Sequence, residues 1–505
     1  MSFPRATSDP DALALGDGTR RRTWAELEDR VARAARLLRD GLGLRPGDRV
    51  ALLLGNRVEG IELVHAAIRA GLWVTPVNRH LTPEEVAYVL ADAGAQVLVV
   101  DAPREPLARG AGVPVVLRAG EELDAALKAS SDAPLPDDGP AGGPMIYTSG
   151  TTGRPKGVKR RPAATVADAL VAQVRYGGSI GLQGDGPHLV TGPLYHAAPL
   201  MFAVYDQQAG APVVLMPRFD ERELLRLVAA HGVARTHLVP TMFVRLLRLP
   251  EAERAAFDPS PLRVVLHGAA PIAPSVKRRM IDWWGPVLVE YWGGSEGGVT
   301  TLVDSRDWLA HPGTVGRALP QWEVFAVDAE GRRLPPGAEG LLYARHRHEA
   351  RLFAYHGDDA KTERAYLPGD PHAFTLGDVG RVDAGGWVHL TDREASTIIS
   401  GGVNVYPAEI ERVLSEHPAV ADVAVFGVPD DEWGESVKAA VELAPGFVPA
   451  PALADELLAF ARKHLAGYKV PRSVDFEAEL PRTPAGKLYV RRLRDRYWQG
   501  RHRRI

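Results

Sequence analysis

The chain has 505 residues, 45% of them hydrophobic and 24% charged, with a formal net charge of -3. That length predicts more than one domain, and the near-balanced charge gives no field to draw in a nucleic acid. There is no cysteine, which excludes disulfides, thiolate metal sites and a cysteine nucleophile; thiol chemistry here requires a thiol brought in by a substrate.

The N-terminal stretch lacks the basic-then-apolar pattern of a signal peptide, no apolar run approaches a membrane span, and the final Arg503-Arg504-Ile505 is not a peroxisomal address. The expected location is the cytoplasm. Thr23 and Glu26 make a capping-box pattern before Leu27, Val31, Ala34 and Leu38 on one helical face. Val50–Leu54 reads as a buried strand, and a second helix carries Ile61, Val64 and Ile68 and stops near Gly71. Thr82-Pro83-Glu84-Glu85 repeats the capping logic with proline at the first helical position, and residues 96–100 form the next strand. This alternation predicts α/β layering with largely parallel strands. From Ala102 to Pro144 the pattern dissolves into Ala, Pro, Gly and charge, which predicts surface loops. Further strands are expected at 189–190, 213–215, 264–266 and 287–289. A small α+β unit then follows, with a helix from Pro407, a β-rich stretch over 420–428 and a helix over 455–464. The arginines crowded between Arg491 and Arg504 read as a solvated tail.

The strongest local signal is the run from Tyr147 to Val158. The strand Pro144–Tyr147 enters a turn with hydroxyls at Thr148, Ser149, Thr151 and Thr152, glycines at 150, 153 and 157, and the cation Lys156. Glycines let backbone N–H groups crowd around an anion, and the hydroxyls and lysine add donors and charge. An ordinary P-loop is excluded, because glycine does not stand five residues after Gly150 and Lys156 is followed by glycine.

The run resembles the signature of the adenylate-forming superfamily of acyl-CoA synthetases, adenylation domains and luciferases, and further segments resemble its other motifs in the family's order. The resemblance implies a large multi-subdomain N-terminal adenylation domain over 1–391, a hinge over 392–396 and a small mobile α+β domain over 397–505. It assigns ATP binding to Thr148, Ser149, Gly150, Thr151, Thr152, Gly153 and Lys156, and adenine contacts to Gly268, Ala269, Ala270 and Pro271 after His267. In Glu290–Glu296 it implies that Trp292 is the aromatic residue against the base, Ser295 stands in for the phosphate-contacting threonine, and Glu296 holds Mg²⁺. Asp378 matches the ribose-binding aspartate and Arg393 the ribose and phosphate contact. His196, in Pro193–Pro199, matches the histidine beside the reacting carboxylate. Lys487 aligns with the catalytic lysine of the closing motif.

Other roles are carried over in the same way. An acyl pocket is expected from Tyr195, His196, Phe202, Met242, Phe243, Ala269, Gly293, Gly294 and Val299, the two glycines suggesting room for an aryl ring or acyl chain. Gly401 and Gly402 are expected to line the tunnel for coenzyme A. Arg393 and Ser396 mark the hinge; Ala395 and Ser396 depart from its common lysine and aspartate, which leaves the pivot open.

The implied reaction converts a fatty or aryl carboxylic acid and ATP to acyl-AMP and pyrophosphate, then passes the acyl group to coenzyme A. The alternative keeps the first step and changes the acceptor to a carrier-protein thiol, an amine or a small nitrogen nucleophile such as nitrite in a diazotising role. A non-catalytic nucleotide-binding protein is disfavoured, since Lys487 and Glu296 are both present. The expected partners are the acid, ATP and coenzyme A, with no nucleic acid and no membrane span; the resemblance also admits a homodimer.

Overall fold

The computed structural model describes residues 2–148, 155–393, 396–400, 403–430, 433–482 and 488–499. Local signals set the first helices. Trp24–Arg36 opens on the expected capping box: Thr23 Oγ1 accepts from the Glu26 amide at 3.2 Å, and Glu26 Oε2 accepts from the Thr23 amide at 2.8 Å. Pro83–Ala93 repeats it with Thr82 and Glu85 and ends on Gly94 at φ 60°, a left-handed cap that glycine adopts without strain.

The alternation of helix and strand signals becomes two large mixed sheets. In one, Val97–Val100, Arg49–Leu53, Trp73–Pro76 and Gly143–Thr148 are parallel neighbours, and Gly143–Thr148 then pairs antiparallel with Lys156–Arg160. In the other, Leu13–Gly16, Val213–Leu215, His188–Val190, Arg235–Leu238, Val264–His267 and Leu288–Gly294 run parallel in that spatial order. Helices cover these sheets, as the burial of whole apolar strands requires. A third, antiparallel sheet is built on Trp322–Val327, Glu339–His346, Asp370–Val382 and Val388–Arg393. The smaller C-terminal unit has its own sheet, with Val420–Asp430 against Gly434–Leu443, and its own core around Val405, Ile410, Leu414, Val425 and Leu457.

Three expectations change. Residues 102–144 are not all loop: Val115–Arg118 adds a parallel edge strand to Val97–Val100, and Glu121–Ala129 is a helix that buries Leu123 and Leu127. A four-residue edge strand and two apolar residues at i and i+4 are too little pattern to stand out from the surrounding Ala, Pro and Gly. The helix expected over 455–464 starts earlier, at Pro451, whose fixed φ suits the first turn. The arginine-rich segment is helical over Val490–Trp498, buries Leu493 and sends Trp498 Nε1 to the Gly427 carbonyl at 3.0 Å, while Arg491, Arg492 and Arg496 stay exposed. No helix among the described residues is long and apolar enough to cross a membrane.

Candidate active site

The ladder between Gly143–Thr148 and Lys156–Arg160 places Thr148 directly opposite Lys156 and Tyr147 opposite Gly157, so both ends of the glycine-rich loop leave from one strand pair. A side chain at Gly157 would meet Met145 Cγ at 3.0 Å, which explains glycine there. Ser149, Gly150, Thr151, Thr152 and Gly153 lie outside the described residues, as do Gly401, Gly402 and Lys487.

Lys156 is tied down on its outer side. Its Nζ lies 3.4 Å from Asp92 Oδ1, while Tyr147 Oη donates to Asp92 Oδ2 at 2.7 Å. Tyr88 Oη donates to the Pro155 carbonyl at 3.1 Å. Burial works against the charge on Lys156, but Asp92 and Tyr88 outweigh it and hold its pKa above the ordinary value. Burial, reinforced by Asp92, raises the pKa of Tyr147, which therefore stays a donor.

The expected adenine turn follows the strand Val264–His267. Ala269 and Ala270 are exposed, and Ala269 sits at φ 66°, a left-handed conformation that costs a residue with a Cβ about 1–2 kcal/mol. Trp292 stands on the neighbouring strand and is 4% exposed, with its indole Nε1 donating to Asp378 Oδ2 at 2.7 Å. Asp378 in turn is the cross-strand partner of Arg393. Three motifs far apart in the chain therefore meet at one point. The indole occupies one acceptor site on Oδ2 of the Asp378 carboxylate.

Ser295 and Glu296 occupy the hairpin turn between Leu288–Gly294 and Gly298–Asp304. Half-buried Glu296 accepts from Tyr355 Oη at 2.9 Å through Oε1. Burial and the adjacent Glu296 both raise the pKa of Tyr355, keeping its proton in this bond. Gly293 and Gly294 answer to the hairpin rather than to open space, contrary to expectation. A Cβ at Gly293 would strike the Gly298 carbonyl, and one at Gly294 would meet Glu296 Oε2 at 2.8 Å.

The expected acyl wall is divided. His196 is the N-cap residue of the helix Ala197–Gln208, its ring 4.5 Å from that of Tyr195. Tyr195 Oη is buried without a hydrogen-bond partner among the described residues, and burial pushes its pKa up to about 12. Phe202 and Val299 share the main core with Tyr291. Phe243, with Met242 beside it, belongs to a second core; its ring packs 5.3 Å from that of His267, and it is fully buried, which corrects its assignment to the acyl wall. His237, unmarked in the sequence, stands edge-on to Phe202 and bonds Tyr291 Oη through Nε2 at 3.0 Å. Burial pushes its pKa down to about 3, so it is neutral.

A family model described as AMP-binding enzyme matches residues 3–352, and one described as AMP-binding enzyme C-terminal domain matches residues 409–487. The chain belongs to this family. A feruloyl-CoA synthase of an Amycolatopsis species is 37% identical over 497 residues, covering 98% of this chain and 97% of that protein. A fatty acid–[acyl-carrier-protein] ligase of Streptomyces coeruleorubidus is 34% identical, covering 99% of this chain and 96% of the relative. The solved o-succinylbenzoate CoA synthetase of Bacillus subtilis, in complex with its acyl-adenylate intermediate, superimposes with a TM-score of 0.82 at 27% identity, covering 99% of this chain and 98% of that one.

This AMP-binding enzyme is an ATP-dependent, AMP-forming acyl-CoA synthetase: it activates a carboxylic acid as the acyl-adenylate and transfers the acyl group to coenzyme A. Its large and small units touch at several points. Asp392 Oδ2 accepts from the Ala408 amide at 2.9 Å, at the N-terminus of the helix Pro407–Leu414. Ser275 Oγ donates to Glu416 Oε1 at 3.1 Å, and Arg248 Nη2 to the Ala421 carbonyl at 3.2 Å. Ser396 is exposed, beside the expected pivot. Sequence reasoning missed Asp92, Tyr88 and Tyr355, and it marked Asp392 only as the first residue of the expected hinge.

Proposed function

We propose that the acid carries an uncharged aryl or alkyl tail, and that residues 1–391 and 397–505 act on it in turn about a hinge at 392–396. The observation that carries the site reading is the convergence of Trp292, Asp378 and Arg393, which puts the expected base, ribose and hinge contacts together. Phe202, His237 and Tyr291, edge to face and with the imidazole neutral, support an uncharged tail. The feruloyl-CoA synthase and fatty-acid ligase relatives favour the same class. A cytoplasmic location accords with the need for ATP and coenzyme A.

In the first half-reaction a carboxylate oxygen of the acid bonds to the α-phosphorus of ATP, and the bond to the β-phosphate oxygen breaks with its electron pair. Pyrophosphate leaves. The loop 148–157 cradles the phosphates with backbone amides and hydroxyls, and Lys156 and Lys487 offset the repulsion between two anions. Among the described residues no group of three or more metal-ligating side chains forms. A lone half-buried Glu296 with one oxygen held by Tyr355 therefore suits a hard cation completed by phosphate oxygens and water, as Mg²⁺ prefers. Bound there by Glu296, Mg²⁺ would supply charge neutralisation on the phosphates. Rotation of the small unit then withdraws Lys487 and presents Gly401 and Gly402 to the pantetheine arm.

A panel of aryl, fatty and dicarboxylic acids, assayed for pyrophosphate release with and without coenzyme A, tests the reading. Release with aryl or fatty acids and acyl-CoA formation is expected. Turnover confined to dicarboxylic acids would overturn the tail assignment. A second acceptor, the thiol of a carrier protein, is favoured by the carrier-protein ligase relative alone; it would appear as acyl transfer to the carrier in preference to coenzyme A.

A further inference from the structure

Lys361 lies on the short helix Asp359–Ala365, and two contacts fix where its side chain starts. Its amide donates to Asp358 Oδ1 at 3.0 Å, and the next residue, Thr362, accepts the Tyr355 amide on Oγ1 at 2.9 Å. The ammonium stands 4.1 Å from the centre of the Tyr355 ring, the same tyrosine whose hydroxyl donates to Glu296. Among the described residues no carboxylate comes within ion-pairing distance of Lys361. A lysine near a glutamate ordinarily closes a salt bridge; here an aromatic face holds the cation instead.

The strand beneath ties this group to the glycine-rich loop. Phe353–Tyr355 pairs with Lys156–Arg160, with Tyr355 opposite Val158, and the His356 amide donates to the Gly157 carbonyl at 2.7 Å. Burial pulls the pKa of Lys361 down and the charge of Lys156 adds to this, with Glu296 and Asp358 opposing. The Lys361 ammonium is held over the ring of Tyr355, whose strand pairs with the strand carrying Lys156, and two cations so placed suit a polyanion.

We propose that Lys361 is a phosphate-contacting residue of the adenylation half-reaction, a second cation beside Lys156 that receives the charge of the departing pyrophosphate. The inference rests on the reading of 148–157 as the triphosphate cradle. No proton is transferred: the electron pair of the broken phosphorus–oxygen bond stays on pyrophosphate, and the ammonium meets it as charge and as hydrogen-bond donor. In the reverse direction the same group holds pyrophosphate for attack on the acyl-adenylate. The second half-reaction contains no pyrophosphate and is independent of Lys361.

The test uses the full chain with Lys361→Met, Lys361→Gln and Lys361→Arg. ATP–pyrophosphate exchange and the KM for pyrophosphate are measured beside thioester formation from supplied acyl-adenylate and coenzyme A. Both neutral variants are expected to raise the KM for pyrophosphate about tenfold or more and to slow exchange, with thioester formation retained and Lys361→Arg recovering much of the loss. Methionine keeps the stem over the Tyr355 ring and glutamine is a polar surface replacement, so at least one neutral variant that melts like the parent gives the reading. Wild-type pyrophosphate kinetics in that variant, or equal loss of both half-reactions, would overturn the proposal. Lys156→Met in the same exchange assay separates the two ideas: if it weakens pyrophosphate binding and the Lys361 variants do not, only the role of Lys361 fails. If Lys156→Met also leaves pyrophosphate binding intact, the cradle reading fails with it.

Discussion

At the proposed nucleoside end of the site, Trp292 and Asp378 are both nearly out of solvent and bonded to each other at 2.7 Å. At the proposed phosphate end, Lys156, Lys361 and Glu296 are only partly buried, and the bonds that hold them come from tyrosines and from Asp92, behind the loop. The first end is bonded internally before a ligand arrives. The second holds charge in waiting and completes its interactions only when phosphate oxygens enter. Preorganisation of this kind lets the protein act on charge that develops during reaction with little rearrangement.

Breaking the phosphate end should therefore cost rate, and breaking the nucleoside end should cost affinity and stability. The largest effect is expected for Glu296→Gln, which should slow pyrophosphate release about 10²- to 10³-fold with a modest change in the KM for ATP. Lys487→Ala should cripple adenylation on a similar scale while sparing thioester formation from supplied acyl-adenylate, read by assaying the two half-reactions separately. At the other end, Asp378→Ala should raise the KM for ATP about 10- to 100-fold, the scale of a lost charge-assisted hydrogen bond. Trp292→Phe keeps a ring but removes the indole donor from a buried carboxylate, and should lower unfolding stability by about 1–3 kcal/mol in denaturant titrations. Asp92→Asn is the mildest. It should let the pKa of Lys156 fall toward its ordinary value and shift the KM for ATP by less than about threefold, since a partly exposed pair contributes little.

The small unit offers a pH test. Burial, with Asp392 and Asp422 adding repulsion and with the Val425 amide and Arg482 opposing, raises the Glu411 carboxyl to about 8 from an ordinary 4.5. The folded protein thus keeps a proton that the unfolded chain releases. Its contribution to stability is fully present below about pH 4.5 and is lost as pH rises through 8. The melting temperature should fall over that window, and Glu411→Gln should flatten the fall.

Much of this architecture was legible because it is local. Thr23 with Glu26, and Thr82 with Glu85, announce helix starts within four residues, and the glycine-rich run declares itself in twelve. Ordered motifs also named Trp292 and Asp378, but their bond spans 86 positions and no local pattern encodes it. Asp92, between Ala91 and Ala93 near the end of a helix, reads as a solvated surface acid until the fold brings Tyr147 and Lys156 to it. Lys361 was hidden for the same reason. Glycines 293 and 294 misled in the opposite sense: lack of a side chain suggested space, where the hairpin needs close backbone approach.

The hydrogen bond from Ala408 to Asp392 has a consequence for any reorientation of the small unit. Asp392 is the last residue but one of the strand Val388–Arg393 in the large unit's sheet, yet caps a helix belonging to the other side. If the chain swivels after Asp392, that cap must come undone and leave helix amides for water to satisfy. If it swivels before Asp392, the carboxylate travels with the helix and the register with Val379 gives way instead. One side chain therefore works as a vernier, reading out on which side of itself the backbone turns.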